Sequence, residues 1–249
     1  MPDLLEGHTV TRFDGELNHL HLLLLEMGGL AVDQCNQALS ALRDEDLELA
    51  QYVIQRETDV DALELKLDSD IWWEVGRRAP VARDLRLVMA FSKSATDLER
   101  VGDEATRVAH TALSIYNNEA LRPSQNLMRD VYVMGRMANA LLRDAIGLLD
   151  SLDAKAARSL IERHSDLDAE FQSSLRRVST FILEDARNVG HAISTVLLIR
   201  ALERIGGHAC NLAEYVIYLV RGDDVRHAGG ARGAGQDSQK SASPRPNGD

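Results

Sequence analysis

Between Ser94 and Ile115, the residues Ser94, Leu98, Val101, Ala105, Val108, Ala112 and Ile115 follow one another at intervals alternating between four and three. Leu198, Leu202, Ile205, Ala209, Leu212, Val216 and Leu219 do the same, in register at an offset of 104. That spacing lays one apolar seam along a helix and calls for a partner packed at a shallow angle, as in a bundle. A second pair of strings corresponds as well: IQRETDVDALE from Ile54 resembles IERHSDLDAEF from Ile161, at an offset of 107. A chain that writes the same helices twice predicts an all-α protein made of two tandem three-helix-bundle repeats. Five prolines and 4% aromatic residues are sparse for a β protein, while Leu, Ala, Glu and Arg, all good helix formers, are abundant.

Six helical segments are expected. The first runs from about Phe13 to Leu42. Asp44 is expected to cap the second, with acidic Glu45, Asp46 and Glu48 favoured in its first turns by the helix dipole, and to lead it to about Arg78. Pro80 suits the first turn of the third, which reaches Tyr116. Ser124 opens the fourth, ending near Asp150; Asp153 caps the fifth, ending near Glu184; the sixth spans about Asn188 to Arg221. The expected division is therefore 1–119 for the first repeat, 120–222 for the second, and 223–249 for a Gly/Ser/Pro-rich tail that cannot bury enough apolar surface to offset its ordering entropy.

A net charge of −11 without a basic stripe argues against nucleic-acid binding. Cys35 and Cys210 sit in helical patterns and make no disulfide framework, so reduced thiols in the cytoplasm are expected. The first residues lack the basic, apolar, small-residue progression of a signal peptide. The most apolar stretch, LHLLLLEMGGLAV, is interrupted by Glu26, short of the roughly 18 residues a membrane-spanning helix needs.

The strings LERVGDEATRVAH, from Leu98, and LERIGGHACNLAE, from Leu202, agree at six of thirteen positions. Gly102 and Gly206 each cost a helix about 1 kcal/mol relative to alanine. Their repetition implies a close backbone approach, expected where the third and sixth helices cross. Glu99 and Asp103 stand four residues apart on one helical face, where like charges repel and a hard cation would relieve them. The second copy keeps Glu203 but carries Gly207 in the place of Asp103, with Glu214, His208 and Asn211 as weaker candidate ligands. Oxygen ligands of this kind accept Mg, Mn, Fe, Ca or Zn, and no organic cofactor is expected. Arg100 and Arg204 are expected to pair with carboxylates of TDVDALE or SDLDAEF rather than to hold phosphate. A ferritin-like di-iron oxidase, or a metal store, is the rival reading. The oxidase needs two inward Glu-x-x-His pairs, and only Glu16 with His19 has that spacing. No nucleophile turn, glycine-rich phosphate loop or CxxC occurs, so no enzyme is expected.

EMGGLA in the first helix, ARDLRLVMAFSK opening the third, the paired LERVGD and LERIGG, and NLAEYVIYLVRGDDVRHAGG near the end occur in order. In these strings the chain resembles the PhoU family, regulators of bacterial phosphate uptake and signalling, over about Phe13 to Gly230. The resemblance implies a cytoplasmic, non-enzymatic homodimer with multinuclear metal sites on E/DxxxD motifs. It implies an adaptor peripheral to the membrane through its partners: the ATPase and membrane subunits of a Pst-type phosphate ABC transporter, and a phosphate-sensing histidine kinase. Through them the family restrains uptake and represses the phosphate-starvation response. Carried over by residue, the metal motif maps onto Glu99 and Asp103 in full and onto Glu203 alone in the second repeat.

Overall fold

The computed structural model describes residues 11–118 and 121–222. They form α1 (Thr11–Asp44), α2 (Leu47–Gln55), α3 (Glu57–Arg78), α4 (Ala82–Asn117), α5 (Gln125–Ser151), α6 (Ala154–Glu184), a 3₁₀ turn (Ala186–Asn188) and α7 (Val189–Arg221). No strand occurs among the described residues. The tail expected over 223–249 lies outside them.

The helix ends follow local chemistry. Ser124 caps α5 by accepting from the Leu127 N–H, and the Asp153 carboxylate caps α6 by accepting from Lys155 and Ala156 N–H at 2.8 and 3.0 Å. At the second helix the outcome differs from expectation. Asp44 is the last residue of α1, and Asp46 is the cap, its carboxylate accepting from Leu49 N–H at 2.9 Å. The long second helix is also divided at Arg56, which ends α2 and starts α3. Arg56 keeps helical dihedrals, but its guanidinium is drawn to Asp33 of α1 at 2.9 Å, tying the break to the first helix. Pro80 falls outside any helix. Ala79 closes α3 in the left-handed conformation at φ 46°, the chain extends through Val81, and α4 begins at Ala82.

Successive long helices run antiparallel. Arg78 of α3 reaches back to Glu16 of α1 at 2.8 Å, and Ser92 of α4 to Asp68 of α3 at 3.3 Å. In the second repeat, Arg163 of α6 meets Asp144 of α5 at 2.6 Å, and Arg177 of α6 meets Asp130 of α5 at 2.6 Å. The repeats join through two antiparallel pairs, α1 with α5 and α4 with α7. The α1–α5 contact is reciprocal. A methyl group on Gly28 would lie 2.7 Å from Ile146 Cδ1, and one on Gly135 would lie 2.7 Å from Leu39 Cδ2. Gly28 corresponds to Gly135, and Leu39 to Ile146, at the offset of 107, so each first helix receives the other's branched side chain in its own glycine gap. The seam residues predicted for α4 and α7 are buried, and one continuous apolar core crosses both repeats, with Leu98, Val101 and Leu202 among its members.

A candidate cation-binding ridge and the junction beside it

Gly102 and Gly206 do not mark the close approach of α4 to α7 expected from their repetition; the space they leave serves another purpose. A Cβ on Gly206 would lie 2.1 Å from Leu167 of α6 and 3.6 Å from Leu141 of α5. On Gly102 it would lie 3.2 Å from Gln34 of α1 and 3.5 Å from Val60 of α3. Gln34 and Leu141 correspond at the offset of 107, as do Val60 and Leu167. Each glycine therefore admits the first and second helices of its own repeat, rather than the helix of the other.

The close approach of α3 to α4 sets two rows of carboxylates face to face. Glu99 and Asp103 on α4 are largely buried, at 18% and 22% side-chain exposure. Arg100 lies on the same helix, 3.3 Å from Glu99 and 3.4 Å from Asp103, so it pairs locally and not with α3 as expected. Burial is the first cause that raises the Glu99 pKa; the Asp103 charge adds to it, Arg100 opposes it, and Glu64 and Asp61 of α3 contribute further. Glu57 and Asp61 are raised as well, first by burial and then by Asp103. The ridge therefore holds Glu57, Asp61 and Glu64 beside the expected Glu99 and Asp103. The three α3 residues follow i, i+4, i+7 spacing, a signal present in the string ETDVDALE. Among the described residues, no three such groups converge at a spacing that would hold one ion.

The second repeat has a different set of side chains at the corresponding place. His164 takes the position of Glu57, Asp168 that of Asp61, and Phe171 that of Glu64. His164 Nδ1 lies 3.4 Å from Asp168, and its Nε2 is buried without a hydrogen-bond partner. Glu203 Oε2 is 3.3 Å from Arg200 but likewise makes no hydrogen bond. Where Asp103 stands in the first repeat, Gly207 leaves open space, with nothing within 4 Å of a Cβ. Burial, then Glu214, then Asp168, raise the Cys210 thiol to about 12, which places Glu214 beside Cys210 and about two helical turns beyond Gly207.

His208 and Asn211 do not join Glu203. They cross to α4, where His208 Nδ1 lies 2.7 Å and Asn211 Nδ2 lies 2.9 Å from Asp97 Oδ1, a carboxylate only 7% exposed. Arg204 also crosses, donating to Glu104 of α4 at 3.0 Å, where Arg107 donates at 2.8 Å. Arg204 thus finds its carboxylate on α4 and not in SDLDAEF. These bonds knit the two repeats together, α4 to α7. Cys35 and Cys210 are free thiols, the former buried.

With two matching helical triplets and an acidic ridge in place, comparison with known proteins decides the family. The PhoU domain matches twice, at residues 24–112 and 131–216, once in each repeat. The chain belongs to the PhoU family. It is 39% identical over 225 residues to the phosphate-specific transport system accessory protein PhoU homolog of Pseudomonas putida, covering 90% of this chain and 87% of that protein. The PhoU of Escherichia coli K12, with the same accessory description, is 31% identical over 240 residues, covering 95% of this chain and 98% of that one. The crystal structure of PhoU from Pseudomonas aeruginosa superimposes with a TM-score of 0.81 at 37% identity, covering 85% of this chain and all of that one. A PhoU of Streptococcus pneumoniae shares the fold, with a TM-score of 0.77 at 23% identity. No helix among the described residues is long and apolar enough to cross a membrane.

Proposed function

We propose that this PhoU-family protein is a non-enzymatic regulator of phosphate transport. It works as an adaptor that restrains a Pst-type phosphate ABC transporter and reports to a phosphate-sensing histidine kinase, so that the starvation response is repressed when phosphate is plentiful. One observation carries this reading: relatives that align along about nine-tenths of the chain, through both repeats, are accessory proteins of phosphate-specific transport. A coupler needs contact surface, and α3 supplies some. Ala62, Leu65, Ser69, Trp72 and Gly76 follow four-three spacing on its outer side, and Trp72 and Trp73 are 76% and 71% exposed.

The acidic ridge belongs to the same reading as a cation site. Glu99 and Asp103, with Glu57, Asp61 and Glu64 opposite, offer hard oxygen ligands whose mutual repulsion a divalent cation would relieve. The cation would draw these carboxylates in from their present separations and brace α3, which carries the exposed indoles, against α4. Glu203 would hold a second ion less firmly, because Gly207 supplies no carboxylate and Glu214 lies about 16.5 Å farther along α7. The cytoplasmic homodimer implied by the family resemblance completes the proposal.

Co-purification from phosphate-replete cells tests the adaptor role. Recovery of the transporter ATPase or the kinase with the tagged protein is the expected result. Normal repression of phosphate-starvation genes in a deletion strain, with no partner recovered, would overturn it.

A further inference from the structure

The acidic ridge is only one pole of this molecule. About 18 Å farther along α4, counted from Asp103 to Ile115, the charge reverses. A cavity of about 610 Å³ opens where the end of α1, the end of α4 and the start of α5 meet, and Arg122, Arg129 and Arg136 line it beside Tyr116, Tyr132 and a lone carboxylate, Glu45. In a chain with a net charge of −11, three arginines around one opening need an explanation.

The three arginines are spaced seven residues apart. Arg129 and Arg136 therefore stand on one face of α5, about 10.5 Å apart along its axis, with Arg122 just ahead of the helix. Arg122 is committed: it pairs with Glu45 and stacks over the Tyr116 ring, with 5.4 Å between its guanidinium carbon and the ring centroid. Arg129 and Arg136 are exposed and take part in no ion pair or side-chain hydrogen bond among the described residues. Both tyrosine hydroxyls are already directed to the Leu42 carbonyl, so the rings serve as walls and the guanidiniums are the uncommitted donors. The sequence pattern Arg-x₆-Arg-x₆-Arg carries the same information, though an acidic composition hides it.

We propose that this cavity binds a small polyphosphate: a linear chain of phosphate groups, free or borne by a nucleotide. Arginine forks suit phosphate oxygens, and two forks two helical turns apart can hold a chain of linked phosphates at several points. A single orthophosphate engages one fork and leaves most of the space, about twenty waters' worth, unfilled. The volume falls within the usual span of small-molecule sites. The site is independent of the adaptor reading, since it uses neither the ridge nor the indoles of α3.

Titration calorimetry of the full chain tests this at low salt, with a chelator present so that no cation bridges phosphate to the acidic ridge. The ligands are sodium orthophosphate, tripolyphosphate and ATP. Tripolyphosphate is expected to bind about tenfold or more tightly than orthophosphate. The double variant Arg129→Gln/Arg136→Gln is expected to lose that advantage, while Lys155→Gln/Arg158→Gln, the same charge change at exposed positions of α6, keeps it. ATP binding more tightly than tripolyphosphate assigns the tyrosine wall to a base; equal affinity assigns the site to the phosphate chain alone. Tripolyphosphate binding no tighter than orthophosphate, or equal losses in the two double variants, would overturn the proposal. Both pairs are exposed, so unfolding temperatures verify that each variant is folded.

Discussion

Asp97 of α4 and His208 of α7 meet at 2.7 Å across the junction of the two repeats, on a carboxylate that is nearly inaccessible to water. The link has no counterpart, because the residue corresponding to Asp97 in the second repeat is Ala201. Asp97→Ala leaves His208 and Asn211 without their acceptor and is expected to lower stability by about 2 kcal/mol. Asp97→Asn keeps an oxygen acceptor and should recover part of that loss. Urea denaturation gives both values, and an alanine variant as stable as wild type would remove the contact from the account of what holds the repeats together.

The two repeated glycines should respond differently to alanine. At Gly206 the added methyl collides with Leu167, which is fully buried, and overpacking of this kind costs about 1–3 kcal/mol, more than the roughly 1 kcal/mol gained in helix propensity. At Gly102 the nearest atom is 3.2 Å away, at the end of the Gln34 side chain, and the propensity gain should leave stability near or above that of wild type. Thermal unfolding of the two variants ranks them; the reverse order would contradict the packing described.

The ridge carboxylates make stability depend on pH with a definite sign. Glu57, Asp61 and Glu99 have folded pKa values raised by burial and by one another, so the native state holds their protons more tightly than the unfolded chain. Their stabilising contribution is complete below the ordinary carboxylate range and is lost as pH rises through the raised values. Above those values their charges repel, so Mn²⁺ or Mg²⁺ should raise the unfolding temperature there. The increment should shrink as pH falls through the raised values of Glu57, Asp61 and Glu99, where these groups take up protons. A cation effect that is unchanged in Asp103→Ala would place the ion elsewhere.

Gly207 offers the complementary test. Nothing lies within 4 Å of a Cβ there, so Gly207→Asp has room to start the missing side chain. The new charge four residues from Glu203 costs a few tenths of a kcal/mol, offset by the loss of a helical glycine. Metal analysis after dialysis against Mn²⁺ should find more bound ion in Gly207→Asp than in wild type. Equal content would mean that the His164 and Phe171 replacements, rather than the missing aspartate, set the limit.

Much of this architecture is legible in the chain. The four-three seams of α4 and α7 identify the helices that carry the core, and the offset of 104 relates them correctly. The caps at Ser124 and Asp153 are legible because a polar side chain there has one local task. Asp44 misleads, since Asp46 offers the same chemistry two residues later, and only the turn itself selects between them. The division at Arg56 is invisible because its ion-pair partner there, Asp33, lies on another helix. The candidate ridge is half legible: Glu99 and Asp103 stand out by their spacing, whereas Glu57, Asp61 and Glu64 join them only once α3 lies against α4. His208 and Asn211 look like ligands in one dimension, and in three they belong to Asp97.

The reciprocal fit of Gly28 with Ile146 and of Gly135 with Leu39 makes the molecule, in effect, a pseudodimer on a single thread. Because the twin surfaces are tethered, their mating does not depend on dilution, as it would between separate subunits. In a true two-fold assembly every substitution strikes both partners at once. Here a change in one copy leaves its sibling untouched, so one half can carry Gly207 where the other carries Asp103, or turn a histidine toward its neighbour, without the other half changing with it.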